Sequence, residues 1–229
     1  MRRSATLLLL LLGLPGPWAL AGQEEAAPQP STEPGESLRV SLLTVGQGEI
    51  YWERFGHNAI LFVDEETGEE TAFHWGVFNF HQEDFFPRLA KGTMLYSMAV
   101  VPLDSFLAEY RQNRRPVWVQ DLNLTPRQRA DLYAAVLENA LPRNREYRYD
   151  YYRDNCSTRV RDHLDRVLGA RIEDRFSPEM TIRSYRWHTR RILQEMAPYY
   201  LGIQFVLGPN GDRPISTWEA MFLPRVLKE

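Results

Sequence analysis

The sequence predicts an α+β domain, an antiparallel sheet with helices packed against it. Two observations carry that prediction. Short apolar runs follow one another across brief polar turns, as hairpins require, and other segments show helical spacing with recognisable caps. A third observation orients the rest. The single cysteine, Cys156, stands where an aromatic stretch, residues 149–155, runs into one of those helices.

Residues 38–43 read as a first strand, and Gly46 and Gly48 mark the turn after it. Residues 58–63 have the continuous apolar character of a buried strand; 64–68 are polar and turn-forming, and 71–75 return. The segment 76–80, with Phe85 and Phe86, is an aromatic-rich loop, fit for core packing or for a lipid-facing pocket wall. Residues 94–101 form another strand, which Pro102 breaks. Leu103, Phe106, Leu107 and Tyr110 then share one face of a short helix, and 117–122 returns as a strand. Thr125, Pro126 and Gln128 spell an N-cap, a first-turn proline and a capping box for a helix that Pro142 ends. Val160, Leu164, Val167 and Leu168 recur at helical spacing after Cys156, with Asp154 or Asn155 as N-cap and Gly169 as stop. Thr181 is read as the cap of a helix reaching about 196, where Ala197-Pro198 breaks it. The tail, 201–208 and 221–224, reads as a strand and a terminal clasp.

Ahead of this domain, Arg2 and Arg3, the apolar stretch 7–14 and the small-residue site Ala19-Leu20-Ala21 form a cleavable export signal, residues 1–21. Residues 22–37 are rich in Pro, Glu, Ala and Ser, the composition of a flexible linker. That leaves 38–229, roughly 190 residues, enough for one domain with a sizeable core. The net charge of −3 gives no electrostatic reason to expect nucleic acid as a partner. No apolar run in the mature chain approaches the ~18 residues of a membrane span.

Export sharpens the meaning of the cysteine. Proteins of oxidising compartments usually pair their cysteines, so a solitary one is either a buried small hydrophobe or a reactive thiol. At the first turn of a helix, free N–H groups and the helix dipole favour a thiolate, lowering its pKa. A nucleophile also needs a base and a group to orient that base. His57 stands at the entrance to one strand and His74 on the neighbouring one, so the hairpin can supply both. Asn155 serves either as a cap or as an aid to the backbone N–H of Cys156 in holding an oxyanion. Arg159 serves either as a clamp for a substrate phosphate or carboxylate, or in a salt bridge to Asp162 or Asp154. Arg183, Arg186, Arg190 and Arg191 crowd one later segment, as a solvated basic face or as a contact for anionic lipid headgroups.

Several motifs are missing. There is no HExxH, CxxC, P-loop, GxGxxG or Gly-x-Ser-x-Gly, and His74 and His81 have no neighbouring ligand set. We therefore expect neither a metal nor a cofactor.

Five stretches taken in order, Phe55-Gly56-His57-Asn58-Ala59, His74-Trp75-Gly76-Val77-Phe78-Asn79-Phe80, Lys91-Gly92-Thr93-Met94-Leu95-Tyr96, the run 149–159 and the tail 201–224, resemble the Lnb N-terminal periplasmic domain family of bacteria. The resemblance implies a periplasmic, papain-like domain in which His precedes Cys, similar to the lecithin retinol acyltransferase family and other permuted NlpC-type proteins. By position it assigns the nucleophile to Cys156 and the base to His57. The family often has Asn where this chain has His74, and papain-type sites use either as orienter. Lnb itself moves an acyl chain onto the amine of a lipidated N-terminal cysteine, so the resemblance implies a thiol acyltransferase with a phospholipid or lipoprotein substrate. Lnb also carries a transmembrane portion after this domain, and none follows here up to Glu229; peripheral membrane contact is the expected route to lipid. A cell-envelope cysteine peptidase or amidase, and a binding module without chemistry, are the alternative readings.

Overall fold

The computed structural model describes residues 33–78 and 94–229, the side chains of Phe205 and Val206 apart. The export signal, most of the linker, His81, and Phe80, Phe85 and Phe86 of the aromatic loop lie outside the described residues. Six strands, β1 (Leu38–Val45), β2 (His57–Asp64), β3 (Glu70–Phe78), β4 (Leu95–Pro102), β5 (Val117–Asp121) and β6 (Glu146–Arg148), form one antiparallel sheet in the order β5-β1-β2-β3-β4-β6. The α+β class expected from the hairpin pattern is what the chain adopts.

Both faces of this sheet are covered, which is why residues 59–63 of β2 are all apolar instead of alternating. On one face α1 (Leu103–Gln112) sets Phe106 and Tyr110 against Leu43, Val45, Ala59, Leu61 and Ala72. On the other, α2 (Pro126–Ala140) and α3 (Cys156–Val167) bring Leu132, Val136, Cys156, Val160 and Leu164 against Leu42, Ile60, Phe62, Phe73 and Trp75. The α2 cap is as expected: Thr125 accepts from the Gln128 N–H, and the Gln128 side chain accepts from the Thr125 N–H. Burying aliphatic and aromatic side chains on this scale is the main source of stability, at about 1.5–3 kcal/mol for each fully buried large one.

The chain continues through α4 (Arg171–Phe176), β7 (Met180–Ser184), α5 (Tyr185–Leu193), α6 (Ala197–Val206), β8 (Pro214–Ser216), α7 (Thr217–Ala220) and α8 (Pro224–Lys228). Here two sequence expectations are corrected. Thr181 does not cap a helix: it lies in β7, which pairs with β8, and its hydroxyl donates to the Ile215 carbonyl at 2.7 Å. The cap is Ser184, whose hydroxyl accepts from the Trp187 N–H. Residues 201–208 are not a strand, since most of them belong to α6. Pro198 sits in the first turn of that helix, where its missing N–H has no partner to lose, so it opens a helix instead of breaking one. The terminal clasp is present. Phe222 and Leu223 pack with Tyr185 and Ile215 in a third apolar cluster, beside the start of α3.

Candidate active site

Asn155 is the N-cap of α3, with extended backbone (φ −123°, ψ −173°) that lets its side chain turn back over the first turn. Its Oδ1 accepts from the N–H groups of Ser157 (2.8 Å) and Thr158 (2.9 Å), while the Thr158 hydroxyl accepts from the Asn155 N–H (2.8 Å). The Asn155 Nδ2 donates to the carbonyls of Tyr151 and Phe222, each at 2.9 Å. Ser157 Oγ donates to the Met221 carbonyl at 2.7 Å, so the tail grips this helix start twice. Both protons of the Asn155 amide are thereby engaged. Of its two expected roles the geometry supports the cap, and no proton is left for an oxyanion. Cys156, the first helical residue, is held by this collar.

The two histidines meet because of strand register. His57 opposes Val45 at the start of β2, and Ala59 opposes His74 on β3, which makes His57 and His74 diagonal neighbours on one face. His57 Nε2 and His74 Nδ1 are 3.2 Å apart and hydrogen-bonded. Their rings stand edge to face, over Phe106 and Tyr110 of α1. With Nε2 of His57 engaged in this way, Nδ1 is the nitrogen left to receive another proton.

The thiol reaches the same strand end from the opposite face. Pairing of β2 with β3 stops at Ala59–His74, and just beyond it the register of β3 against β4 shifts between Trp75 and Val77. Gly76 lies in this bulge with φ +92°, a conformation costly for any residue with a side chain. A Cβ there would lie 3.7 Å from the Cys156 Cβ. Beyond the end of the ladder, the backbone N–H groups of Asn58, Ser157 and Cys156 itself lie near enough to the Cys156 sulfur to favour its charged form. The sulfur thus lies near the residue immediately after His57, although no hydrogen bond joins thiol to imidazole.

Burial sets the electrostatics. Loss of water pushes the Cys156 thiol up to about 11, outweighing the three N–H groups and the Arg115 charge that pull it down. The expectation of a lowered thiol pKa is corrected accordingly: the helix terminus acts in the expected direction, and desolvation is larger. His57 is held well below 6.5, first by desolvation, then by His74 and Arg115; desolvation brings His74 down to about 4. At neutral pH the trio is a neutral thiol beside two neutral imidazoles. That arrangement suits general-base chemistry, in which the proton moves as the nucleophile attacks, and does not hold a standing ion pair. A neutral His74 can accept the Nε2–H of His57, fixing the tautomer whose Nδ1 is free.

Arg159 takes the structural one of its two expected roles. It forms a two-pronged pair with Asp154, with Nη2 to Oδ2 at 2.8 Å, and its guanidinium lies over the Tyr147 ring. The sequence reading missed Arg115, which is 8% exposed. It donates twice to the Gly46 carbonyl (3.0 and 2.9 Å), approaches Glu53 at 3.5 Å and places its charge near both Cys156 and His57. Its only signal was a charged residue directly before an apolar strand. Phe78, Tyr96, Tyr149, Tyr151 and Phe55 make a continuous chain of ring contacts past the cysteine. Tyr96 and Tyr149 stack at 4.1 Å. Among the described residues, no group of three or more His, Cys, Asp or Glu is arranged to hold a metal ion, and no helix is long and apolar enough to cross a membrane.

A family model for the Lnb N-terminal periplasmic domain matches residues 30–193, which include every candidate site residue. No curated protein and no solved structure matches the chain. Four of the five ordered motifs lie within that match, and the tail 201–224 lies beyond it; with most of the chain matched, this chain belongs to the Lnb N-terminal periplasmic domain family.

Proposed function

We propose that this domain is a cell-envelope thiol acyltransferase of papain-like type, with Cys156 as nucleophile, His57 as base and His74 as orienter. The observation that carries the proposal is the His57–His74 hydrogen bond, which leaves one imidazole nitrogen unengaged beside the residue whose N–H lies near the Cys156 sulfur. In the first half-reaction His57 Nδ1 takes the thiol proton as sulfur attacks the carbonyl of a lipid ester. Its C–O bond breaks, His57 returns the proton to the leaving alcohol, and an acyl-thioester remains. In the second, an amine attacks the thioester, forming an amide and restoring the thiol. Backbone N–H groups at the start of α3, that of Cys156 first, would hold the oxyanion. The aromatic chain from Phe78 to Phe55 supports an acyl chain as the donor group. A peptidase or amidase would share the acyl-enzyme step and differ only in donor and acceptor.

One observation favours a second reading, a binding module without chemistry: Cys156 is only 8% exposed. Intact mass spectrometry after incubation with bacterial phospholipids separates the readings. A fatty-acyl increment removed by hydroxylamine, and absent from Cys156→Ala, is the expected result. An unmodified protein whose Cys156 also resists mild alkylation would leave the binding module standing. A reactive thiol that no lipid acylates would favour peptide or amide substrates.

A further inference from the structure

Beside the histidine end of β2, and distinct from the cysteine, lies a cavity of about 670 Å³ between the end of β1, α5 and α8. It is strongly cationic in a chain whose net charge is −3. Arg54, Arg183, Arg191, Arg225 and Lys228 line it, against two acidic side chains, Glu195 and Glu229. Those two are already engaged, Glu195 with Arg54 at 3.4 Å and Glu229 with Arg225 at 2.8 Å. Among the described residues no carboxylate pairs with Arg183, Arg191 or Lys228. The two arginines instead flank the Trp187 ring, and Lys228 lies over Trp118. His188, in the cavity wall and 6% exposed, has an Nε2 with no hydrogen-bond partner. Arg183 and Arg191 are solvent-exposed and Lys228 half-buried, so these charges stand open to an anion from solution.

We infer that this cavity binds a phosphate ester, with Arg183, Arg191 and Lys228 as its charged contacts. Arginine suits the task, because its planar fork matches phosphate oxygens. The cavity is far larger than a phosphate ion needs, and Val45, Phe55, Ile192, Leu223 and Val226 give it apolar walls. A phosphate carrying an organic substituent, such as a phospholipid headgroup, therefore fits better than the free ion. Phe55 and Gly56 in its lining directly precede His57, so the site adjoins the proposed catalytic end. It goes beyond the acyl-transfer reading and does not depend on it, because its test measures binding and not turnover.

The test is calorimetric titration of the mature chain with dihexanoyl-phosphatidylglycerol and, separately, with inorganic phosphate. We expect saturable binding of the phospholipid, weakened about tenfold or more in R183Q/R191Q. Equal affinity for inorganic phosphate would also support the site and identify the free ion as its ligand. Because the double variant could disturb α5, Lys228→Gln and the His188 imidazole NMR signal of the unaltered chain provide a second reading. Absence of saturable binding by either probe would overturn the inference, as would binding unchanged in both variants with no shift of the His188 signal.

Discussion

At Cys156 two opposed effects act on one sulfur atom. The helix start and the Asn58 N–H stabilise negative charge, while removal from water opposes it and prevails. What holds the sulfur in place is the neighbouring Asn155, which uses both ends of its amide, one on the α3 turn and the other on the tail. Asn155→Ala should therefore cost about 3 kcal/mol, a lost cap plus buried carbonyls left without donors. Asn155→Asp keeps the acceptor but sets a buried carboxylate oxygen against the Tyr151 and Phe222 carbonyls, so its loss should be at least as large. Urea denaturation measures both, and a loss below about 0.5 kcal/mol for the alanine variant would contradict the collar. Cys156 could be singled out from residue type and export, and His57 from its place at the start of a strand beside His74 and from the family resemblance. Arg115 could not, because its importance comes from the charge it holds near two groups far away in sequence.

The hairpin of β2 and β3 is the element that brings the histidines together, and its end matters as much as its body. The strands were legible from apolar runs and turn residues, to within a residue or two at most ends. The bulge at Gly76 was not, since a single glycine inside an aromatic segment reads equally well as a loop. There is space for a methyl group at Gly76, so the cost of Gly76→Ala comes from its positive φ, about 1–2 kcal/mol. Relief of that strain would shift the bulge against β4 and loosen the backbone packed beside Cys156. Faster alkylation of Cys156, together with lower denaturant stability, is the expected outcome; unchanged values of both would show that the bulge is dispensable.

Among the described residues, four histidines are held neutral by burial. His74, His163 and His188 are each brought to about 4, with desolvation the largest cause, and His57 lies well below 6.5. In the unfolded chain the same groups titrate near 6.5. Between those values the unfolded state binds more protons, so stability is fully present above about pH 6.5 and is lost as pH falls toward 4. For the well-buried His163 and His188 the loss is on the order of 2 kcal/mol each. Thermal unfolding followed from pH 7.5 to 4.5 should show a steady fall in Tm, with a smaller fall in His163→Gln. A Tm independent of pH over that window would mean that these rings are hydrated in the folded chain.

The ordered motifs carried the family resemblance; the local sequence set the α+β class, strands β1 to β5, helices α1 to α3 and the cap of α2. These depend on rules acting within a few residues: apolar spacing, turn chemistry and capping. Tertiary structure decided that Pro198 begins a helix, that Asn155 and Arg159 hold structure, and that burial overrides the helix terminus at Cys156. It also gathered Arg54, Arg183, Arg191 and Lys228 around one cavity. Desolvation and charge proximity depend on which distant segments the fold brings together, and no local pattern in the chain encodes them.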